Sequence, residues 1–102
     1  MNEPAASPKE LLAAVCAEFK TTEEELRSPC RKRRLVFARM AYAVIRRKAR
    51  ATVRTIGCEL NRKHSTIIRL LEYHKYDCKY YPPYAKKYES TINRLREQKK
   101  PE

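Results

Sequence analysis

Apolar residues recur at helical spacing along nearly the whole chain. In the first stretch Leu11, Leu12, Val15, Cys16 and Phe19 make one stripe, preceded by Ser7 as N-cap, Pro8 at the first helical position and Glu10 as capping-box partner. "TTEEEL" repeats the device at residues 21–26: Thr22 caps, Glu23, Glu24 and Glu25 favour the positive helix end, and Leu26 turns inward. Pro29 keeps this helix short by disfavouring helical geometry at Ser28. The longest helix is expected from Arg31 to Lys48, burying Leu35, Val36, Phe37, Met40, Ala43 and Val44. Thr52 then caps a short helix over 53–60, with Ile56 and Leu60 on its inner face. Asn61 is expected to end that helix and to cap the next, over about 62–75, where Ile67, Leu70, Leu71 and His74 follow an i, i+3, i+4, i+7 pattern. Pro82 and Pro83 interrupt the pattern. A last helix from Pro83 carries Tyr84, Tyr88, Ile92 and Leu95 on one face until "REQKKPE" frays.

These elements predict an all-α chain of five to six helices. Its parts are a flexible N-terminus (1–6), a helical domain (7–75), a Tyr-rich linker with an extra C-terminal helix (76–98), and a tail (99–102). A chain of 102 residues supports one modest core. No apolar run approaches the roughly 20 residues that span a bilayer. "MNEPAASPKE" has neither the basic start nor the apolar stretch of a signal peptide, so a cytoplasmic, nucleoid-associated location is expected, with no membrane partner.

The formal net charge is +12, unevenly spread. Residues 1–27 hold three basic and six acidic side chains, whereas residues 31–54 hold ten Lys or Arg and no acid. A like-charged block that also carries a core-facing stripe repels itself, and an anionic partner relieves that repulsion. Nucleic acid is the commonest such partner.

Cys16, Cys30, Cys58 and Cys78 form no CxxC pair, and reduced thiols are expected. A zinc site can be assembled from Cys58, His64, His74 and Cys78, but the usual knuckle spacing is absent, so no metal or other cofactor is expected. His64 beside Ser65 lacks the carboxylate that would orient a catalytic histidine, and no enzyme activity is expected.

Two short helices joined by a tight turn, 53–60 and 62–75, make a helix-turn-helix, in which the start of the second helix enters the major groove. "NRKHSTI", residues 61–67, occupies that position: Lys63, His64, Ser65 and Thr66 are the candidate base readers, on a helix end whose free amides already favour phosphate. Phosphate or minor-groove contacts fall to Arg31, Lys32, Arg33, Arg34, Arg62 and Arg69.

From about Glu10 to Tyr73 the chain resembles the C-terminal DNA-binding domain of the bacterial replication initiator DnaA, of the Trp-repressor-like helix-turn-helix class. The family signature GRDHTTV is matched by "NRKHSTI", its upstream "IG" by Ile56 and Gly57, and its "RQMAMAL" by "ARMAYAV" at 38–44. "CAEFKTTEEELRS" is similar to the start of that domain. The resemblance implies that His64, Ser65 and Thr66 read the major groove and that Arg46 contacts phosphate. It also implies that Thr52, Val53 and Arg54 lie near the backbone and that Arg39 faces DNA. Lys63 stands where the family has aspartate, and the turn before it is one residue shorter. Cys30 aligns with a minor-groove arginine, and Arg31 to Arg34 follow at once.

No GxxxxGK[ST] loop occurs, so neither a nucleotide partner nor an ATP-driven step is expected. A small chain of this kind suits a free-standing regulator, such as one from a phage or mobile element. The expected function is sequence-selective binding of double-stranded DNA in replication or transcription control, with a homodimer or a replication protein as further partner. Two alternatives stay open: RNA or single-strand binding through the tyrosines, and a protein-interaction module that keeps a relic motif.

Overall fold

The computed structural model describes residues 8–98 and arranges them in six helices, with no strand among them. They are α1 (Pro8–Phe19), α2 (Glu23–Arg27), α3 (Arg33–Lys48), α4 (Val53–Leu60), α5 (His64–Tyr80) and α6 (Pro82–Gln98). Ser7, the expected first cap, lies outside the described residues, as do the expected flexible ends at 1–6 and 99–102.

α3 is the axis of the molecule, packed against α1, α2, α4 and α5. No side chain from Leu35 to Ile45 is exposed. The expected core positions Leu35, Met40, Ala43 and Val44 are buried, Val36 and Phe37 are half-buried, and Ala38, Ala41, Tyr42 and Ile45 are buried as well. A helix buried on all sides has neighbours on all sides, and the small residues of "ARMAYAV" allow that approach. The helix begins at Arg33 rather than Arg31, because Lys32 adopts a non-helical cap conformation.

Local capping chemistry accounts for the short elements. Thr22 Oγ1 accepts from the Glu25 amide at 3.1 Å, and Glu25 Oε1 accepts from the Thr22 amide at 3.2 Å, completing a capping box on α2. Thr52 Oγ1 accepts from the Thr55 amide at 3.1 Å and starts α4. The chain has one glycine, so the left-handed residues after α1, α3 and α4 are Lys20 (φ 55°), Arg50 (φ 74°) and Asn61 (φ 58°). In each case the next amide reaches back to the carbonyl five residues earlier, at 2.7–3.1 Å, closing the helix end.

The expected break after Lys75 is absent: α5 continues to Tyr80, and only Tyr81 separates it from α6. The prolines do not disturb this join, since Pro82 and Pro83 take the first two positions of α6, where no amide partner is needed. α6 packs on α1 and α5, burying Tyr84 and Leu95, and Arg94 bonds Glu18 of α1 at 2.8 and 3.0 Å.

His74 sits at the α5–α6 seam as expected from its core-side position. Its Nδ1 lies 2.6 Å from the Tyr84 hydroxyl, its ring packs 4.6 Å from that of Tyr88, and Cys78 Sγ lies 3.5 Å from Nε2. Burial, then the charge of Lys48, depresses its pKa from 6.5 to about 4, so the neutral ring accepts the Tyr84 proton. Above pH 6.5 both folded and unfolded chains hold a neutral ring. As pH falls toward 4, only the unfolded chain takes up a proton, and stability is lost. Glu25 and Glu59 are held below their ordinary 4.5 and act at lower pH. The melting temperature, followed by circular dichroism, is therefore expected to fall between pH 6.5 and about 4.5, and His74→Asn is expected to flatten that segment. An unchanged slope in the variant would remove His74 as its source.

Candidate nucleic-acid interface

The turn between α4 and α5 rests on Gly57. A Cβ there would stand 2.5 Å from the Arg62 carbonyl oxygen, and the Arg62 amide donates to the Gly57 carbonyl at 2.7 Å. Asn61 occupies the left-handed region (φ 58°, ψ 47°) and closes α4. It does not cap α5, as the sequence reading expected. That position belongs to Lys63, and Arg62 lies in the turn instead of the first helical turn, so α5 starts two residues later than its pattern suggests.

Lys63, His64 and Ser65 are exposed and Thr66 is half-buried at this start. Lys63 makes no side-chain cap bond, and the first turn of α5 contains no acid. α3 starts in the same manner, with Lys32 making no cap bond, no acid in its first turn, and Arg31, Lys32, Arg33 and Arg34 all exposed. α2 and α4, by contrast, carry threonine caps. The two uncapped starts leave free amides and positive dipole ends beside cations, a combination suited to anions.

A groove of about 740 Å³ joins these two starts. Pro29 and Arg31 form one wall, Thr66, Arg69 and Tyr73 of α5 the other, and Arg62 lies between. A second concavity, about 640 Å³, brings Arg54 and Cys58 of α4 beside Lys63 and His64. Arg33 and Arg34 turn toward another side of α3: Arg33 lies over the Tyr81 ring at 6.0 Å, and Arg34 pairs with Glu25 at 3.6 Å. Thr52 is engaged as a cap, and half-buried Val53 packs against the core.

Three expected DNA-facing arginines have acceptors within the protein. Arg39 is only 3% exposed, and its guanidinium donates to the carbonyls of Leu26 (2.7 Å), Ser28 (3.0 Å) and Glu25 (3.1 Å). Burial, then the charge of Arg62, lowers its pKa to about 10, so it stays protonated at neutral pH. It therefore faces the carboxyl end of α2 and not the surface, which corrects the expectation drawn from the resemblance. Arg62 donates to the carbonyls of Leu60, Asn61 and Ser28, while Asn61 Nδ2 donates to the Arg27 carbonyl at 3.2 Å.

Arg46 makes a bidentate pair with Glu59 at 2.8 and 2.6 Å, and the Tyr42 hydroxyl donates to the same carboxylate at 2.9 Å. Burial pushes the Glu59 carboxyl up, but the bonds from Arg46 and Tyr42 outweigh it and hold it below the ordinary value. Glu59 and Tyr42 escaped the sequence reading, as did the bond from Asn61 to the Arg27 carbonyl. One signal was present for Glu59, the only acid between Glu25 and Glu72, since a lone acid in a basic stretch needs an internal partner.

The cysteine–histidine set divides. His74 and Cys78 meet at the α5–α6 seam, Cys58 and His64 line the second concavity, and no group of three metal-ligating side chains exists among the described residues. Nor, among those residues, is any helix long and apolar enough to cross a membrane.

Residues 8–72 match the family model for the bacterial dnaA protein helix-turn-helix. The chain is similar to the chromosomal replication initiator protein DnaA of Oleidesulfovibrio alaskensis, with 37% identity over 60 residues. That alignment covers 58% of this chain and 13% of the initiator's length.

The turn geometry makes a direct prediction. Gly57→Ala is expected to destabilise the fold by about 1–3 kcal/mol, because the added methyl meets a backbone oxygen that cannot step aside. Urea unfolding measures this; a variant as stable as the parent would show that the α4–α5 turn yields freely.

Proposed function

The chain belongs to the bacterial DnaA helix-turn-helix family, a DNA-binding class, and on that footing we propose that it binds duplex DNA site-selectively, in replication or transcription control. The observation that carries this reading is the uncapped, acid-free start of α5, with Lys63, His64 and Ser65 exposed and Arg31, Thr66 and Arg69 lining the adjoining groove. In this reading the first turn of α5 enters the major groove. Ser65 and Thr66 meet base edges through hydroxyls, the Thr66 methyl can meet thymine, and His64 donates or accepts.

Affinity then comes from cations that have no strong internal partner. Arg69 lies one turn along α5 and Arg54 beside its start on α4, and Arg31 with Lys32 approaches the neighbouring phosphates or minor groove across the groove from α5. Arg33 and Arg34 add positive potential from the start of α3. Arg39, Arg46 and Arg62 serve the interface indirectly, by fixing the elements that present it. Thr52 likewise sets the start of α4, with Val53 anchoring it and Arg54 directed outward.

Fluorescence anisotropy with a DnaA-box duplex, a scrambled duplex and a matching single strand, between roughly 50 and 200 mM salt, tests the reading. His64→Ala or Thr66→Ala is expected to reduce discrimination between the two duplexes by about 1–3 kcal/mol. Arg69→Ala is expected to weaken both alike and to reduce the logarithmic salt slope by about 1. Equal losses on both duplexes for the His64 and Thr66 changes would remove base reading from α5, and absence of duplex binding at low salt would overturn the proposal.

A further inference from the structure

The seven tyrosines divide into two groups. Tyr42 and Tyr84 are buried, Tyr81 and Tyr88 are half-buried, and these four pack with the core. Tyr73, Tyr76 and Tyr80 are 52%, 63% and 58% exposed. All three lie on α5, at steps of three and four residues, and they continue a line that begins with Thr66 and Arg69. At about 1.5 Å per residue this line runs some 21 Å from Thr66 to Tyr80. The Tyr76 and Tyr80 ring centroids are 4.7 Å apart, and Lys79 Nζ lies 5.3 Å from the Tyr80 ring centroid.

The core closes without these rings, each of which is more than half exposed. An exposed aromatic row of this kind marks a contact surface. Its chemistry narrows the occupant. A second copy would bring another +12 chain against the same cations, which opposes pairing through this face. Aliphatic side chains, which a lipid or an apolar peptide would favour, are absent from the row. Nucleobases suit it, because every base has a face that stacks on an aromatic ring, and Arg31, Arg69 and Lys79 stand near enough to meet the phosphates that join them. Two acids border the row by their spacing, Glu72 on one side and the half-buried Asp77 on the other, and the three cations outnumber them. The row also starts inside the duplex-facing groove, because Tyr73 lines it together with Arg31 and Thr66.

We propose that Tyr73, Tyr76 and Tyr80 form a stacking track for unpaired nucleotides of a DNA strand that runs on from the duplex held at the start of α5. This inference rests on the duplex reading above and adds a second binding mode to it. One protein surface would then recognise a junction, with paired DNA at one end of α5 and an open strand along its length.

The test measures affinity of the full chain for a blunt duplex, for the same duplex with a short thymidine overhang at the 3′ or the 5′ end, and for the overhang strand alone. One overhang polarity is expected to bind about tenfold more tightly than the blunt duplex. The double change Tyr76→Ala/Tyr80→Ala is expected to abolish that gain and leave blunt-duplex affinity unaltered, while Tyr76→Phe/Tyr80→Phe keeps the gain, since stacking needs the ring and not the hydroxyl. Equal wild-type binding to blunt and tailed duplexes overturns the track but leaves the duplex reading intact, and loss of the gain in the phenylalanine pair overturns stacking as its basis. Tyrosine-dependent binding of the single strand without any blunt-duplex binding supports the track and overturns the duplex reading instead. Sedimentation that shows the alanine pair converting a dimer to monomers, with no tail gain in the parent, assigns the row to a second copy and overturns the proposal.

Discussion

The carboxyl end of α2 holds the interface together. A helix of five residues is too short to stand alone, and its last carbonyls point outward without helical partners. Here they face Arg39 from the axial helix and Arg62 and Asn61 from the turn of the helix-turn-helix. The negative end of the α2 dipole thereby gathers two guanidiniums that would otherwise repel each other, and the Ser28 carbonyl serves both. Loop 29–32, which carries Arg31, leaves directly from this point. The spacing between that loop and the start of α5 follows from how the carbonyls are shared.

The same logic sorts the positive charge into two populations. Arg39, Arg46 and Arg62 have internal acceptors, and the positions of α2, α4 and the turn follow from them. Arg31, Lys32, Arg54, Lys63 and Arg69 are exposed beside helix starts that lack side-chain caps, or along the grooves those starts define. Charge count alone does not separate these groups; the nearest carbonyl or carboxylate does. Glu59 illustrates this, since one acid on α4 withdraws Arg46 from the surface and enlists Tyr42 at the same time.

Most of the helical frame was legible in the chain because its signals are local. Threonine caps, the prolines, and the stripes of α1 and α4 depend only on residues a few positions apart, and the capping box on α2 and the cap of α4 formed as expected. What was not legible depends on distant partners. The outward orientation expected of Arg39 failed because its three acceptors lie eleven to fourteen residues earlier in the chain. The start of α5 was misplaced by two residues because Asn61 took a left-handed conformation, which closes one helix instead of opening the next. The sequence set Tyr84 and Tyr88 on one face of the last helix but did not divide the other tyrosines, and only the neighbours of each ring decide that Tyr42 and Tyr81 turn inward while Tyr73, Tyr76 and Tyr80 stay outward. The resemblance to a known family located the helix-turn-helix, but the division of arginines between frame and surface required the geometry.

The acid-free stretch from residue 31 to residue 54 has a consequence for how the molecule responds to its solvent. Its exposed cations repel one another in the free protein, so dissolved ions that screen them favour the folded chain. Those same ions compete with the protein for a polyanion and loosen the complex. Fold and complex therefore answer ionic strength with opposite signs. At low salt, where the isolated domain is under its greatest internal repulsion, an anionic partner relieves the most strain and acts as a folding ligand.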